Sequence, residues 1–212
     1  MNAYSKMRNN KQGNLLEALS GGPSGKLSFT DRSTGRILEY YVVGEIEEAS
    51  EYVDWFDAIR HANESDVVKI YINSFGGDLF TAIQFMRVLR ETRASVIASV
   101  EGACMSAATI IFLSATDYEV SRHSNFMFHN YSGGTFGKGG EMMDQLVYER
   151  KWSETLLRDV YADFLTPEEV TAILDNKDIW LDSEKVVERL NKRLESRRAA
   201  ADAEKAQDPA PE

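Results

Sequence analysis

The chain has 212 residues, of which 43% are hydrophobic and 27% are charged, and this balance predicts one main folded domain with a sizeable core. It carries 34 acidic and 24 basic residues, a formal net charge of −10. Long-range repulsion at this charge argues against binding to nucleic acid or to an anionic membrane surface. The single cysteine, Cys104, cannot form an intrachain disulfide, and with only three histidines no structural zinc site can be assembled. We therefore expect a cytoplasmic protein without a metal or other cofactor.

Residues 1–35 form a polar N-terminal arm without the apolar segment of a secretory signal. The folded body is predicted at residues 36–194, followed by a low-complexity, charged segment at 195–212 that we expect to be a disordered tail. The apolar run from Gly102 to Ala115 is shorter than the roughly 20 residues that a membrane span needs. We interpret it as the end of a buried strand followed by a buried helix.

The body alternates between predicted strands and helices. β-branched apolar runs bounded by polar residues indicate buried strands, and apolar side chains at helical spacing indicate the helices between them. In chain order we expect an extended segment at Arg36–Val43, a helix through Tyr52 and Ile59, a strand at Val67–Ile72, a helix with Leu79, Ile83, Met86 and Leu89 on one face, a strand at Ser95–Val100, a helix at Met105–Ser114 and a strand at Phe126–Phe128.

A long helical stretch follows, at about Gly140–Leu165. Thr166, Pro167 and Glu169 then give a strong helix start, with threonine as the N-cap, proline at the first position and glutamate at the third. Strands that alternate with helices predict βαβ units and a parallel sheet, so the fold class is α/β. In such sheets, sites gather at the carboxyl ends of the strands.

Gly76 and Gly77 follow the first buried strand. Paired glycines permit positive φ and close backbone approach, so their N–H groups can point at a ligand oxygen. A tight strand-to-helix turn without a ligand explains the same pair.

Ser106 follows the second buried strand, in the run Gly102-Ala-Cys-Met-Ser106-Ala107. At a helix N-terminus it can act as a nucleophile whose oxyanion is held by the N–H groups of Ala107 and Gly77. The alternative is a helix-capping or packing serine. Cys104 is a rival nucleophile by type, but its apolar neighbours favour an inert, packed thiol.

A serine nucleophile needs a base and an acid that orients the base. His129 ends the run SNFMFH, where strand alternation puts it on the same face as Met127, whereas His123 lies in a polar turn and His61 ends a surface helix. Taken by itself, a histidine in this position is more often structural, with its hydrogen bonds satisfied, than catalytic. Asp178 is one of several nearby acids, and nothing local distinguishes it.

The order of these pieces resembles the proteolytic subunit of the Clp protease and the related phage head-maturation peptidases. The resemblance rests on INSFGGDL, VEGACMSAATIIFLSA, NFMFHN, a long helical segment and DIWLDSEKVVERL, and it covers about Val42 to Leu190. It implies a crotonase-like α/β spiral of βαβ units with a protruding helical handle, here about residues 139–165. The run from His129 to Gly134 and the motif around Trp180 favour the phage-type branch.

The resemblance also implies roles for individual residues. Ser106 matches the nucleophile, His129 the base, Asp178 the acid, and Gly77 and Ala107 the oxyanion-hole donors. Phe75 stands where the Clp subunit has proline, and Ala107-Ala108 replaces its Met-Gly. Because the oxyanion hole uses backbone N–H groups, these departures change the shape of the pocket more than its chemistry.

The implied function is a serine endopeptidase that hydrolyses polypeptides inside a homo-oligomer of one or two stacked rings. An ATP-driven unfoldase is a disfavoured partner, because the N-terminal arm lacks the family's usual docking segment. Two alternatives remain open at this point: a crotonase-type acyl-CoA enzyme that uses the same two N–H donors, and an inactive ring-forming scaffold.

Overall fold

The computed structural model describes residues 28–32 and 35–207. The chain separates into two compact units, which divide between Glu119 and Val120. We describe each unit by itself.

The first unit is built on a mostly parallel sheet. Strands β2, β3 and β4 pair in that order in parallel, and β1 pairs with β2 in the antiparallel direction. A short strand, β5, pairs with β4. The strands are β1 (Ser28–Arg32), β2 (Gly35–Ile46), β3 (Val67–Gly77), β4 (Ser95–Met105) and β5 (Asp117–Val120).

Helical segments connect these strands, as the alternating pattern predicts. They are a 3-10 turn (Ala49–Tyr52) and helices α1 (Val53–Arg60), α2 (Leu79–Glu91) and α3 (Ala107–Leu113). Parallel neighbours need such crossovers because a hairpin can join only antiparallel strands. The predicted α/β class is therefore confirmed.

Aromatic side chains form the core between the sheet and the first two helices. The ring of Phe85 on α2 lies 4.8 Å from that of Phe56 and 5.1 Å from that of Tyr52, both edge to face. Tyr40 of β2 reaches the same cluster through Trp55, at 4.9 Å. Such tilted and edge-to-face pairs add to the stabilisation from apolar burial.

Two sequence expectations about this unit need correction. The strands are longer than their apolar runs, because β3 continues through Asn73 to Gly77 with a shift of register rather than ending in a loop. On α2, the buried side chains are Thr81, Ala82, Phe85, Val88 and Leu89. The buried face is therefore centred on Phe85 rather than on the apolar row seen in the sequence, of which Leu89 is buried and Leu79, Ile83 and Met86 are partly buried.

The second unit contains a two-stranded antiparallel ladder and three helices. Its elements are β6 (Asn125–Phe128), α4 (Gly139–Tyr161), α5 (Pro167–Leu174), β7 (Ile179–Asp182) and α6 (Ser183–Gln207). Phe128 of β6 packs edge to face on Tyr161, with ring centroids 5.5 Å apart. The predicted capping box is confirmed: Glu169 N–H donates to Thr166 Oγ1 at 3.2 Å, and Thr166 N–H donates to Glu169 at 2.9 Å.

Helix α6 extends through a segment that was predicted to be disordered. Residues 195–207 continue the helix that begins at Ser183, while residues 208–212 lie outside the described residues. The prediction failed because it weighed low complexity over propensity: the segment is rich in Ala, Glu, Lys and Arg, which are strong helix formers. Arg193 and Arg197 also bind the carboxylate of Asp163 at 2.9 Å.

Residues 1–27 of the predicted arm lie outside the described residues, whereas 28–32 form β1.

Within residues 28–32 and 35–207, no helix combines the length and the apolar character that crossing a bilayer requires.

A buried carboxylate ties the start of β2 to the start of β3. Asp66, 2% exposed, accepts hydrogen bonds from Arg36 Nη2 at 2.7 Å, from the Arg36 backbone N–H at 2.8 Å and from the Asn63 N–H at 2.9 Å. The Arg36 side chain, and then these backbone donors, hold the pKa of Asp66 well below its usual range. The charged form is therefore the one that the fold stabilises.

We predict that Asp66→Asn destabilises the fold by about 1–3 kcal/mol at pH 6, because hydrogen bonds to a buried charge are lost. A lowered folded-state pKa contributes stability that is fully present above the unfolded value, about pH 4, and that is lost progressively as the pH falls from there toward the folded-state pKa. The free energy of unfolding is measured in urea between pH 6 and pH 2.5. The difference between wild type and variant should become smaller as the pH falls. Asp57→Asn, at a side chain 73% exposed, is the matched control and should follow wild type. A gap that is constant with pH would contradict the assignment.

Candidate active site

Ser106 lies between the last residue of β4 and the first residue of α3, with φ 54° and ψ −129°. A positive φ at a residue with a Cβ costs about 1–3 kcal/mol and persists only where the surroundings fix it. Both flanks are fixed here, since Met105 is 8% exposed and all seven residues of α3 are buried. The Ser106 side chain does not cap the helix and stays partly accessible. Ser106 therefore occupies the N-cap position of α3 without using its hydroxyl as the cap.

Glycine is required at positions 76 and 77 for the turn, and also because the backbone there lies very close to Ser106 and to Ile46. A Cβ on Gly76 would lie 2.7 Å from Ser106 Cβ and 3.1 Å from its Oγ, and one on Gly77 would lie 2.2 Å from the Ile46 carbonyl oxygen. Their φ angles are 104° and 149°. The backbone of β3 thus passes directly against Ser106, which only glycine at position 76 allows.

The two expected N–H donors both belong to this arrangement. Gly77 directly follows the glycine that contacts Ser106. Ala107 is the first residue of α3, and the helix itself has no acceptor for the amides of its first turn. The first unit thus brings Gly77, Ser106 and Ala107 into one turn region.

Cys104, the rival nucleophile, is not available. Its side chain is fully buried, and burial raises the pKa of its thiol well above the usual value. Because the thiolate is the reactive form, this cysteine remains an inert packed thiol.

His129 and Asp178 lie together in the second unit. The register of β6 with β7 pairs Phe128 with Ile179, so the next residues outward, His129 and Asp178, face each other. The distance from His129 Nδ1 to Asp178 Oδ1 is 4.0 Å, and their side chains are 24% and 50% exposed. A carboxylate at this nitrogen is suited to orient an imidazole.

Only the family resemblance pointed to Asp178; no local pattern did, because the register of two four-residue strands is not visible in their composition. The signal that would have found it is the antiparallel pairing itself, which puts the residue after β6 opposite the residue before β7. The other two histidines lie elsewhere: His61 Nδ1 is 2.8 Å from the Asp57 carbonyl oxygen on α1, and His123 is exposed in a turn with φ 80°.

Across residues 28–32 and 35–207, no three His, Cys, Asp or Glu side chains are grouped so that they could hold a metal ion.

We predict that Gly76→Ala destabilises the protein more than Gly44→Ala. Both positions have a positive φ, 104° and 84°, so each alanine costs about 1–2 kcal/mol of backbone strain. A Cβ at Gly44 meets nothing within 4 Å, whereas one at Gly76 collides with Ser106. The free energies of unfolding in urea measure the difference, and equal losses would contradict the close contact.

The comparisons with known proteins agree with this geometry. The family model for the Clp protease matches residues 36–189, which is nearly three quarters of the chain and includes every candidate residue named above. A search of curated proteins finds no match. The matched stretch is far more than half of the sequence, and the chain therefore belongs to the Clp protease family.

Proposed function

We propose that the protein is a serine endopeptidase in which Ser106, His129 and Asp178 form a catalytic triad. The observation that carries the proposal is the backbone of Ser106, held at φ 54° between a buried strand end and a buried helix. Strained, over-determined positions of this kind cluster at active sites, and a strand-to-helix turn exposes a serine hydroxyl for attack. Membership of a peptidase family gives the reaction class.

In the proposed reaction, Ser106 Oγ attacks the carbonyl carbon of the scissile peptide bond while His129 Nε2 takes the hydroxyl proton. The negative charge that develops on the carbonyl oxygen is stabilised by the N–H groups of Gly77 and Ala107. His129 then gives its proton to the leaving amine, and an acyl-enzyme remains on Ser106. Water, deprotonated by His129, releases the acid product and restores the serine.

Asp178 has the role of orienting His129 and of stabilising the imidazolium that forms. Its Oδ1 is 4.0 Å from His129 Nδ1, so a direct hydrogen bond requires an approach of about 1 Å. Catalytic hydrogen bonds are often long without substrate and tighten in the complex. The 4.0 Å separation therefore supports the orienting role, with the hydrogen bond formed when substrate binds.

The proposal extends to a homo-oligomer of one or two stacked rings that acts on polypeptides. It is supported by large apolar side chains on the first half of α4 that are 49–70% exposed: Met143, Leu146, Val147 and Tyr148. By contrast, the buried residues of that helix all lie from Ser153 onward. Contiguous exposed apolar side chains mark an interaction surface, and a second copy of the chain fits the proposed assembly. The phage-type branch belongs to the same proposal and is supported by the sequence motifs.

We predict that Ser106→Ala reduces cleavage of fluorescein-labelled casein, an unfolded substrate, by at least about 10³-fold, because the attacking oxygen is removed. Ser50→Ala is the matched control, since Ser50 is an exposed serine of the same unit outside the site, and its rate should equal wild type. The rates are measured from the release of fluorescent peptides. Cleavage that survives in Ser106→Ala would overturn the proposed function.

A further inference from the structure

A buried serine lies beneath the glycine turn that contacts Ser106. Ser74 is 0% exposed. Its Oγ lies 2.5 Å from the Gly44 carbonyl oxygen and 3.5 Å from the Gly76 carbonyl oxygen. A hydroxyl has one hydrogen, and the shorter contact assigns it to Gly44. The oxygen then accepts from the Gly76 N–H at 3.1 Å.

These two hydrogen bonds span a place where the sheet is irregular. The β2–β3 register shifts between the Val43–Asn73 and Glu45–Gly76 pairs, so Gly44 alone on β2 lies opposite Ser74 and Phe75, and β3 carries the extra residue of a bulge. The ladder is locally disrupted at a bulge. Ser74 bridges this place by joining the Gly44 carbonyl of β2 to the amide of the glycine turn.

The β3–β4 pairing is irregular at the same level. Ile72 pairs with Val100 but Ser74 pairs with Cys104, so β4 carries extra residues here. Asn73 Oδ1 accepts from the Ala103 N–H at 2.9 Å and so ties the extra segment back to β3. Ser74 therefore pairs with Cys104, which lies two positions before Ser106. Ser74 itself lies two positions before Gly76.

The position of the glycine turn relative to Ser106 thus depends on these side chains as well as on the β2–β3 ladder, which resumes at the Glu45–Gly76 and Ile46–Gly77 pairs. Gly76 contacts Ser106 directly, and Gly77 is the proposed oxyanion donor. A rotation of the peptide planes at Gly76 would move the Gly77 N–H. The pairing with β2 holds one edge of the turn, and the hydrogen bond from Gly76 N–H to Ser74 Oγ is a further contact that opposes such a rotation.

We propose that Ser74 is a positioning residue for the oxyanion-binding turn, which holds the Gly77 N–H where the transition state needs it. The inference rests on the proposed peptidase function. Because an oxyanion donor stabilises the transition state more than the bound substrate, loss of the Ser74 hydroxyl should lower kcat and leave KM nearly unchanged.

The test measures kcat and KM of the full chain on a fluorogenic peptide that spans a mapped casein cleavage site. We expect Ser74→Ala to lower kcat by about 10- to 100-fold, which does not exceed the loss of kcat caused by removing one oxyanion-hole donor. KM should stay within about threefold of wild type. Ser74→Thr keeps the hydroxyl and should restore most of kcat. Ser74→Cys, similar in size but a weak hydrogen-bonding group, should fall below Ser74→Thr.

Ser114→Ala is the matched control for a merely structural effect. Ser114 is also buried, at 7% exposed, and donates to the Ile110 carbonyl oxygen at 2.7 Å. Its loss should lower the melting temperature but not kcat. A kcat within twofold of wild type in Ser74→Ala would overturn this inference but not the proposed function. If Ser74→Ala does not fold, equal kcat values for Ser74→Cys and Ser74→Thr would overturn the inference instead. Absence of Ser106-dependent cleavage in wild type overturns the proposed function and this inference together.

Discussion

The positive φ of Ser106 is the constraint on which the candidate site depends. A residue with a Cβ enters this conformation at a cost of about 1–3 kcal/mol, and the burial of Met105 and of all of α3 offsets that cost. The turn also leaves no room for a side chain at Gly76, whose backbone lies against Ser106. The strand before Ser106, the helix after it and the glycine beside it thus together hold the strained serine in place.

The second part of the candidate chemistry depends on strand register. The β6–β7 ladder pairs Phe128 with Ile179, and its continuation puts Asp178 opposite His129. Neither side chain is fully buried, so both are accessible from solvent. The fully buried Cys104, whose thiol pKa is raised by burial, is by contrast unsuited to the same task. Exposure and register, rather than residue type, separate the candidate catalytic groups from the structural ones.

The sequence predicts those features that depend on local pattern. The apolar runs of β3 and β4 and the capping box at Thr166 are local signals, and the structure confirms these strands and this helix start. The sequence does not predict features that depend on pairing or packing. The bulge of β3 opposite Gly44 and the buried face of α2 around Phe85 are set by neighbours distant in sequence. The partner of His129 is also set by strand pairing, and it is the family resemblance, not a local signal, that points to Asp178. The helical segment 195–207 was missed for a different reason, since low complexity obscured high helix propensity.

The central claim is that Ser106 is a nucleophile activated by His129. The most direct measurement is the site of covalent labelling by a fluorophosphonate probe, mapped by mass spectrometry of proteolytic peptides, in wild type and in His129→Ala. The account predicts one adduct, on Ser106, whose rate of formation falls steeply when the base is removed. An adduct on another residue, or labelling of Ser106 at an unchanged rate in His129→Ala, would contradict it.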